Sequence, residues 1–178
     1  MRHALILIGT MVMLANIAGC GGDDRERLAD ITLNTITEVK GNLDDVTSEL
    51  KKAVEEHNAK RKALSVDDIT RAVVKAEDLK KYGKKLQDIK ERMDMFREKT
   101  TDDQRAKLAE YYKTKLIAPL EGLEESDRQL QAVLKDVADL IGRETTDNKR
   151  LLENALDQLR KTVREGYEPF ELLTKQRS

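Results

Sequence analysis

The stretch Ile36-Thr37-Glu38-Val39-Lys40-Gly41-Asn42-Leu43-Asp44-Asp45-Val46-Thr47-Ser48-Glu49-Leu50 decides the fold class. Its apolar residues, Ile36, Val39, Leu43, Val46 and Leu50, recur at alternating steps of three and four, the spacing that lines up one face of an α-helix. The seam continues through Ala53 and His57 and, after a missed turn, Leu64. A helix over residues 24–62 follows. Leu28, Ile31 and Leu33 precede the seam slightly out of phase, so the first turns are expected to face something other than the core.

The same periodicity returns three times. A segment over 66–99 carries Ile69, Val73, Ala76, Leu79, Tyr82, Leu86, Ile89, Met93 and Phe96. One over 102–141 carries Leu108, Tyr112, Leu116, Leu120, Leu123, Leu130, Val133 or Leu134, Val137 and Ile141, with a kink expected near 115–118 because Pro119 removes one helical hydrogen bond. The last, over 147–168, carries Leu152, Leu156, Leu159, Val163 and Tyr167; Pro169 is expected to end it, leaving Phe170, Leu172 and Leu173 as a short apolar tail. Between the segments stand Ser65-Val66-Asp67-Asp68, Thr101-Asp102-Asp103-Gln104 and Thr145-Thr146-Asp147-Asn148. Each offers a hydroxyl to the free amides of a first helical turn and acids to its positive end. Gly142 is a natural stop before the last of them.

Composition agrees. Charged residues make up 38% of the 178 and aromatic residues 3%, tryptophan is absent, and there are only 9 glycines and 2 prolines, which fits long amphipathic helices and not sheets. Four segments with short connections predict an all-α, antiparallel up-down-up-down four-helix bundle, or an elongated helical coiled-coil bundle. The competing arrangement is a single long hairpin that turns once at Thr100-Thr101.

Ahead of the helices, Met1-Arg2-His3 is a short basic opening, Ala4 to Ile17 an apolar run, and Ile17-Ala18-Gly19-Cys20 an aliphatic residue, two small residues and the only cysteine. This is the layout of a secretory signal peptide; the apolar run is short for a membrane span. Its last four residues resemble the lipobox of bacterial lipoproteins. The resemblance implies cleavage between Gly19 and Cys20, lipid on the Cys20 thiol, and attachment to an envelope membrane on its periplasmic side. Gly21, in place of the aspartate that retains many lipoproteins in the inner membrane, points to the outer one. Residues 1–19 are then the signal, 20–24 a lipidated tether of at most about 14 Å, and 25–178 a single helical domain held close to the membrane. The only cysteine excludes an internal disulfide.

The search for chemistry returns little. Lys+Arg number 33 against Asp+Glu 34, and losing Arg2 with the signal makes the formal charge one unit more negative, so the basic excess of a nucleic-acid footprint is absent. His57 is the one histidine of the mature chain. Position 54 is valine, so the Glu-x-x-His pairs of a di-iron bundle are missing, and one cysteine cannot hold a c-type haem. A triad would have to draw Ser48, Ser65, Ser126 or Ser178 to His57, and Ser65 already suits a cap. No glycine-rich phosphate loop, cofactor site or metal site is read. Of the aromatic pair Tyr111-Tyr112, one ring must point away from the core, which makes Tyr111 a candidate partner contact. The expectation is a non-catalytic structural or interaction module that meets the membrane through its lipid and binds a protein partner or itself. The alternative is a periplasmic four-helix sensor or carrier for a small ligand.

Overall fold

The structure, a computed structural model, describes residues 23–60, 62–99 and 101–175, with side-chain surroundings for these other than 23–26, 60, 93–99, 103–105, 107–108, 111–112 and 172–175. Residues 1–22, with the signal and the lipobox, lie outside the described residues. The chain forms α1 (Asp23–Lys60), α2 (Val66–Ala76), α3 (Leu79–Lys99), α4 (Asp102–Ile141) and α5 (Thr146–Lys175), with no strand among the described residues. The fold is an all-α helical bundle. The breaks at 62–65 and 142–145 exclude the single hairpin. Wherever side chains are described, the predicted stripes are buried, from Ile36 to Ala53 on α1 through Leu152 to Tyr167 on α5; Tyr82 and His57 are half-buried.

Alternation of direction holds, but the closest partners are not all chain neighbours. Lys40 of α1 packs its stem 3.6 Å from the Cβ position of Gly122 on α4, and one groove runs along residues 40–55 and 122–129 in the same order, so α1 and α4 run parallel. On the other side Thr162 faces Glu77, Glu165 faces Lys80 and Pro169 faces Gly83, so α5 runs parallel to α2 and α3. The two pairs oppose each other: Glu49 meets Arg71, and Glu38 meets Lys85. Around the bundle the order is therefore α1, α2 with α3, α5, α4, with α5 closing on α4 along a thinner seam.

Three expectations need correction. The segment over 66–99 is two helices, broken at Glu77-Asp78. There the amides of Asp78, Lys80 and Lys81 bond three residues back, to Lys75, Glu77 and Asp78, and the Asn42 side chain donates to the Lys75 carbonyl at 2.9 Å. The cause lies in α5. A Cβ on Gly166 would fall 2.3 Å from Leu79 Cβ and 3.0 Å from its carbonyl carbon, so the first turn of α3 rests directly on the α5 backbone. Nothing in Ala76-Glu77-Asp78-Leu79 forbids a helix; the break is imposed from outside.

Pro169 does not end the fourth segment, because α5 continues to Lys175. The ring of Pro169 packs over Gly83, which has no side chain to obstruct it, and Phe170 beyond it is fully buried and stacks on Tyr167 at 6.3 Å. Burying that phenylalanine, worth roughly 2–3 kcal/mol, offsets the lost hydrogen bond. Phe170 is thus a core residue and not part of a free tail; the side chains of Leu172 and Leu173 lie outside the described residues.

The first turns of α1 do face inward. Leu28, Ala29, Thr32 and Thr35 are buried, and Ile31 is the exposed one. Thr32 and Thr35 donate to the carbonyls of Leu28 and Ile31 at 2.8 Å, which satisfies their hydroxyls and lets threonine occupy core positions.

Gly166→Ala should lower stability by on the order of 2–3 kcal/mol, since the added methyl meets backbone. Gly41→Ala, where nothing lies within 4 Å, should raise it by about 0.5–1 kcal/mol. Chemical unfolding of the two variants checks this; equal midpoints would contradict the close approach of α3 and α5.

Candidate functional site

Along α4 the apolar stripe is interrupted between Leu123 and Leu130 by Ser126-Asp127. Ser126 is nonetheless buried, and Thr47, on the α1 side of the same groove, is buried too. A helical threonine at that depth requires an internal acceptor, and Thr47 donates to the Leu43 carbonyl at 2.7 Å. Ser126 hydrogen-bonds Asp44, whose carboxylate also takes the Lys40 ammonium. Burial pushes the Asp44 carboxyl up, but the bonds from Lys40 and Ser126, with the nearby Lys51 charge, outweigh it and hold the group below the usual range.

Around this polar layer lies a groove of about 560 Å³ between α1 and α4. Thr47 and Ser126 lie beside the side-chain-free Gly122, with Lys40, Lys51, Lys52, Glu55, Glu125 and Gln129 around them. Charges of both signs alternate, and Glu125 is taken by Arg128 at 2.7 Å and by Gln129 at 3.1 Å. The groove is open to solvent, and it sets no nucleophile beside a base.

A second polar cluster ties α2 to α1. Ser65 and Asp68 form a reciprocal capping box: the Asp68 amide donates to Ser65 Oγ at 3.3 Å, and the Ser65 amide to Asp68 Oδ2 at 3.0 Å. Arg71 bridges Asp68 to Glu49 of α1, with Lys75 on the other Glu49 oxygen at 3.6 Å. Desolvation pushes the Asp68 carboxyl up, while bonds from the Ser65 hydroxyl, the Ser65 amide and Arg71 pull it further down, to a net position below the ordinary range. The Arg71 hydrogen bond likewise lowers Glu49.

Gly19 and Cys20 lie outside the described residues; Tyr111 lies within α4, and its side chain is likewise outside them. His57 is half-buried, with Nδ1 buried and without a hydrogen-bond partner. Ser65 and Ser126 are engaged by Asp68 and Asp44, so neither forms a pair with His57. The lysines of Lys80-Lys81-Tyr82-Gly83-Lys84-Lys85 are largely neutralised: Lys80 pairs with Glu77 and Glu165, Lys81 with Asp78, and Lys85 with Glu38 while lying over the Tyr82 ring. Among the described residues, no group of three His, Cys, Asp or Glu side chains could hold a metal ion, and no helix is long and apolar enough to cross a membrane. Among the described residues, large exposed apolar side chains are scattered singly, at Ile31, Val74 and Leu151.

The architecture defines the chain as an all-α helical bundle protein. No family model matches its sequence, and no curated protein or solved structure gives a match.

Ser65→Ala should cost about 1 kcal/mol at neutral pH. Because the folded pKa of Asp68 is depressed, the stability it contributes is complete above the ordinary aspartate pKa of 3.8 and is lost as pH falls through the lower folded value. The gap between wild type and Ser65→Ala in thermal unfolding should therefore be constant from pH 7 to about 5 and narrow below about 4. A gap that widened in acid would show that the capping box does not hold the carboxylate.

Proposed function

We propose that this chain is a lipid-anchored envelope protein whose helical bundle serves as a non-catalytic structural or protein-interaction module. The observation that carries the reading is Ile17-Ala18-Gly19-Cys20 closing a basic-then-apolar leader, with α1 starting three residues later at Asp23. Three peptide units span at most about 11 Å. A bundle that starts so near its anchor stands against the headgroups and does not swing on a long linker. The fold supports a spacer role, since α1 alone, at 38 residues, measures about 57 Å. With Cys20 at one end, the connections at 62–65 and 142–145 form the far tip. Membrane attachment is through lipid on Cys20, and Gly21 favours the outer membrane; the partner is a protein or a second copy.

A sensor or carrier role would use the groove between α1 and α4. Its ion-paired walls, open to solvent, give that reading less support than an enclosed cavity would.

In cells, Cys20→Ser should leave uncleaved precursor and abolish incorporation of labelled palmitate; palmitate still incorporated by the variant would end the lipobox reading. In the lipidated protein on vesicles, a label at Ser65 should lie some 50–60 Å from the membrane surface and one at Thr101 close to it. The reverse order would show that the bundle is anchored by its other end.

A further inference from the structure

Thr100-Thr101 divides the bundle into two halves, 23–99 and 102–175. The first half is tied within itself: Glu49 of α1 holds Arg71, Asn42 donates to the Lys75 carbonyl, and Glu38 holds Lys85. The second is held mainly by the first, because α4 lies on α1 and α5 on α2 and α3, while α4 and α5 meet only along their thinner seam. The close approaches of Lys40 to Gly122 and of Leu79 to Gly166 both cross from half to half.

The link between the halves is the shortest of the bundle, yet it joins opposite corners. α3 and α4 are separated by α1 on one side and α5 on the other, and they share no extensive contact among the described residues. Neighbouring helix axes lie about 8–10 Å apart, which puts opposite corners about 11–14 Å apart. The three peptide units from Lys99 to Asp102 reach at most about 11 Å. By contrast α1 and α2, which are neighbours, are joined through 61–65, and α4 and α5 through 142–145. The crossing is possible because α5 stops short: with Pro169 over Gly83, its end at Lys175 comes level with Ile89, and about ten residues of α3 run on past it. Lys99-Thr100-Thr101-Asp102 contains neither glycine nor proline, so nothing in it forbids a helix.

We propose that two copies of the chain exchange their second halves: α3 and α4 join into one helix through Thr100-Thr101, and each bundle pairs residues 23–99 of one copy with 102–175 of the other. Every contact between halves is kept, now between chains, and the short diagonal crossing is no longer needed. A two-fold axis at the joint relates the copies, so the assembly closes on itself. Both α1 helices then start at the waist, and the 62–65 and 142–145 connections lie at the far ends. The single-copy bundle holds the same contacts, so concentration decides between the two forms. Naming a second copy as the partner rests on the interaction reading above, but not on lipid at Cys20.

The test uses full chains carrying Cys20→Ser in detergent micelles, which makes its outcome independent of lipidation. One chain also carries Lys40→Cys and the other Gly122→Cys; they are unfolded, refolded together at high concentration and treated with a short bis-maleimide. A single chain carrying both substitutions, which cross-links within itself when dilute, shows that the pair is in reach. The two-chain mixture should give a cross-linked dimer on denaturing gels. Its yield should fall roughly tenfold when about six Gly-Ser residues are inserted between Thr100 and Thr101, since the longer link lets α4 return to its own α1. Thr100→Ala with Thr101→Ala, which favours the joined helix, should raise it severalfold. A chain that stays monomeric in sedimentation up to its solubility limit would overturn the proposal. So would a dimer that gives no cross-link, or a cross-link indifferent to the insertion.

Discussion

The contact on which the arrangement turns is that of Leu79 with the bare backbone of Gly166. Two helices can approach that closely only where one lacks a side chain, and four residues along the ring of Pro169 packs over Gly83 at ordinary van der Waals distance. The reciprocal pair fixes α3 against α5 in one register and forces the break between α2 and α3. It also provides the place where a proline can sit in a helix that carries on to bury Phe170. Asn42, reaching from α1 to the carbonyl of Lys75, satisfies a backbone group beside that break.

On the opposite side the register is set by polar groups. Ser126 of α4 bonds Asp44 of α1, while the buried Thr47 beside them satisfies its hydroxyl within α1, on the Leu43 carbonyl. A slide of either helix would part Ser126 from Asp44 and leave the buried serine without that acceptor. Such a layer contributes less to stability than an apolar one of the same volume, but it penalises every wrong alignment. The bundle thus fixes its alignment in two ways, by shape where glycines meet larger residues and by hydrogen bonding where hydroxyls meet an acid.

Most of the helical grammar was readable in advance. The stripe from Ile36 to Ala53, the cap at Ser65 and the stops near Leu64 and Gly142 follow from side-chain periodicity and local hydrogen bonding, which a chain carries in its own order. What escaped reading depends on partners distant in sequence. The break at Glu77-Asp78 is caused by a glycine almost ninety residues later. Pro169 reads as a terminator until Gly83 is placed beneath it, and Thr32 and Thr35 read as polar until their hydroxyls are seen to bond within the helix. The groove was half legible: the gap at Ser126-Asp127 stands in the sequence, but the pairing of Ser126 with Asp44 needed the parallel packing of α1 and α4.

That parallel packing bears on how the chain reaches its fold. Helices joined by a tight turn can dock as soon as both exist, but α1 must wait for α4, and α3 for α5, with the contacting residues roughly 80–90 positions apart. Closing such loops costs entropy before any of the Leu43, Leu79 or Phe170 contacts repay it. During synthesis α1 emerges with its apolar stripe uncovered, and its principal neighbour follows only when some two thirds of the chain has been made. The α-helical composition makes for a fast folder; the order in which its helices pair leaves closure of the bundle dependent on its last element.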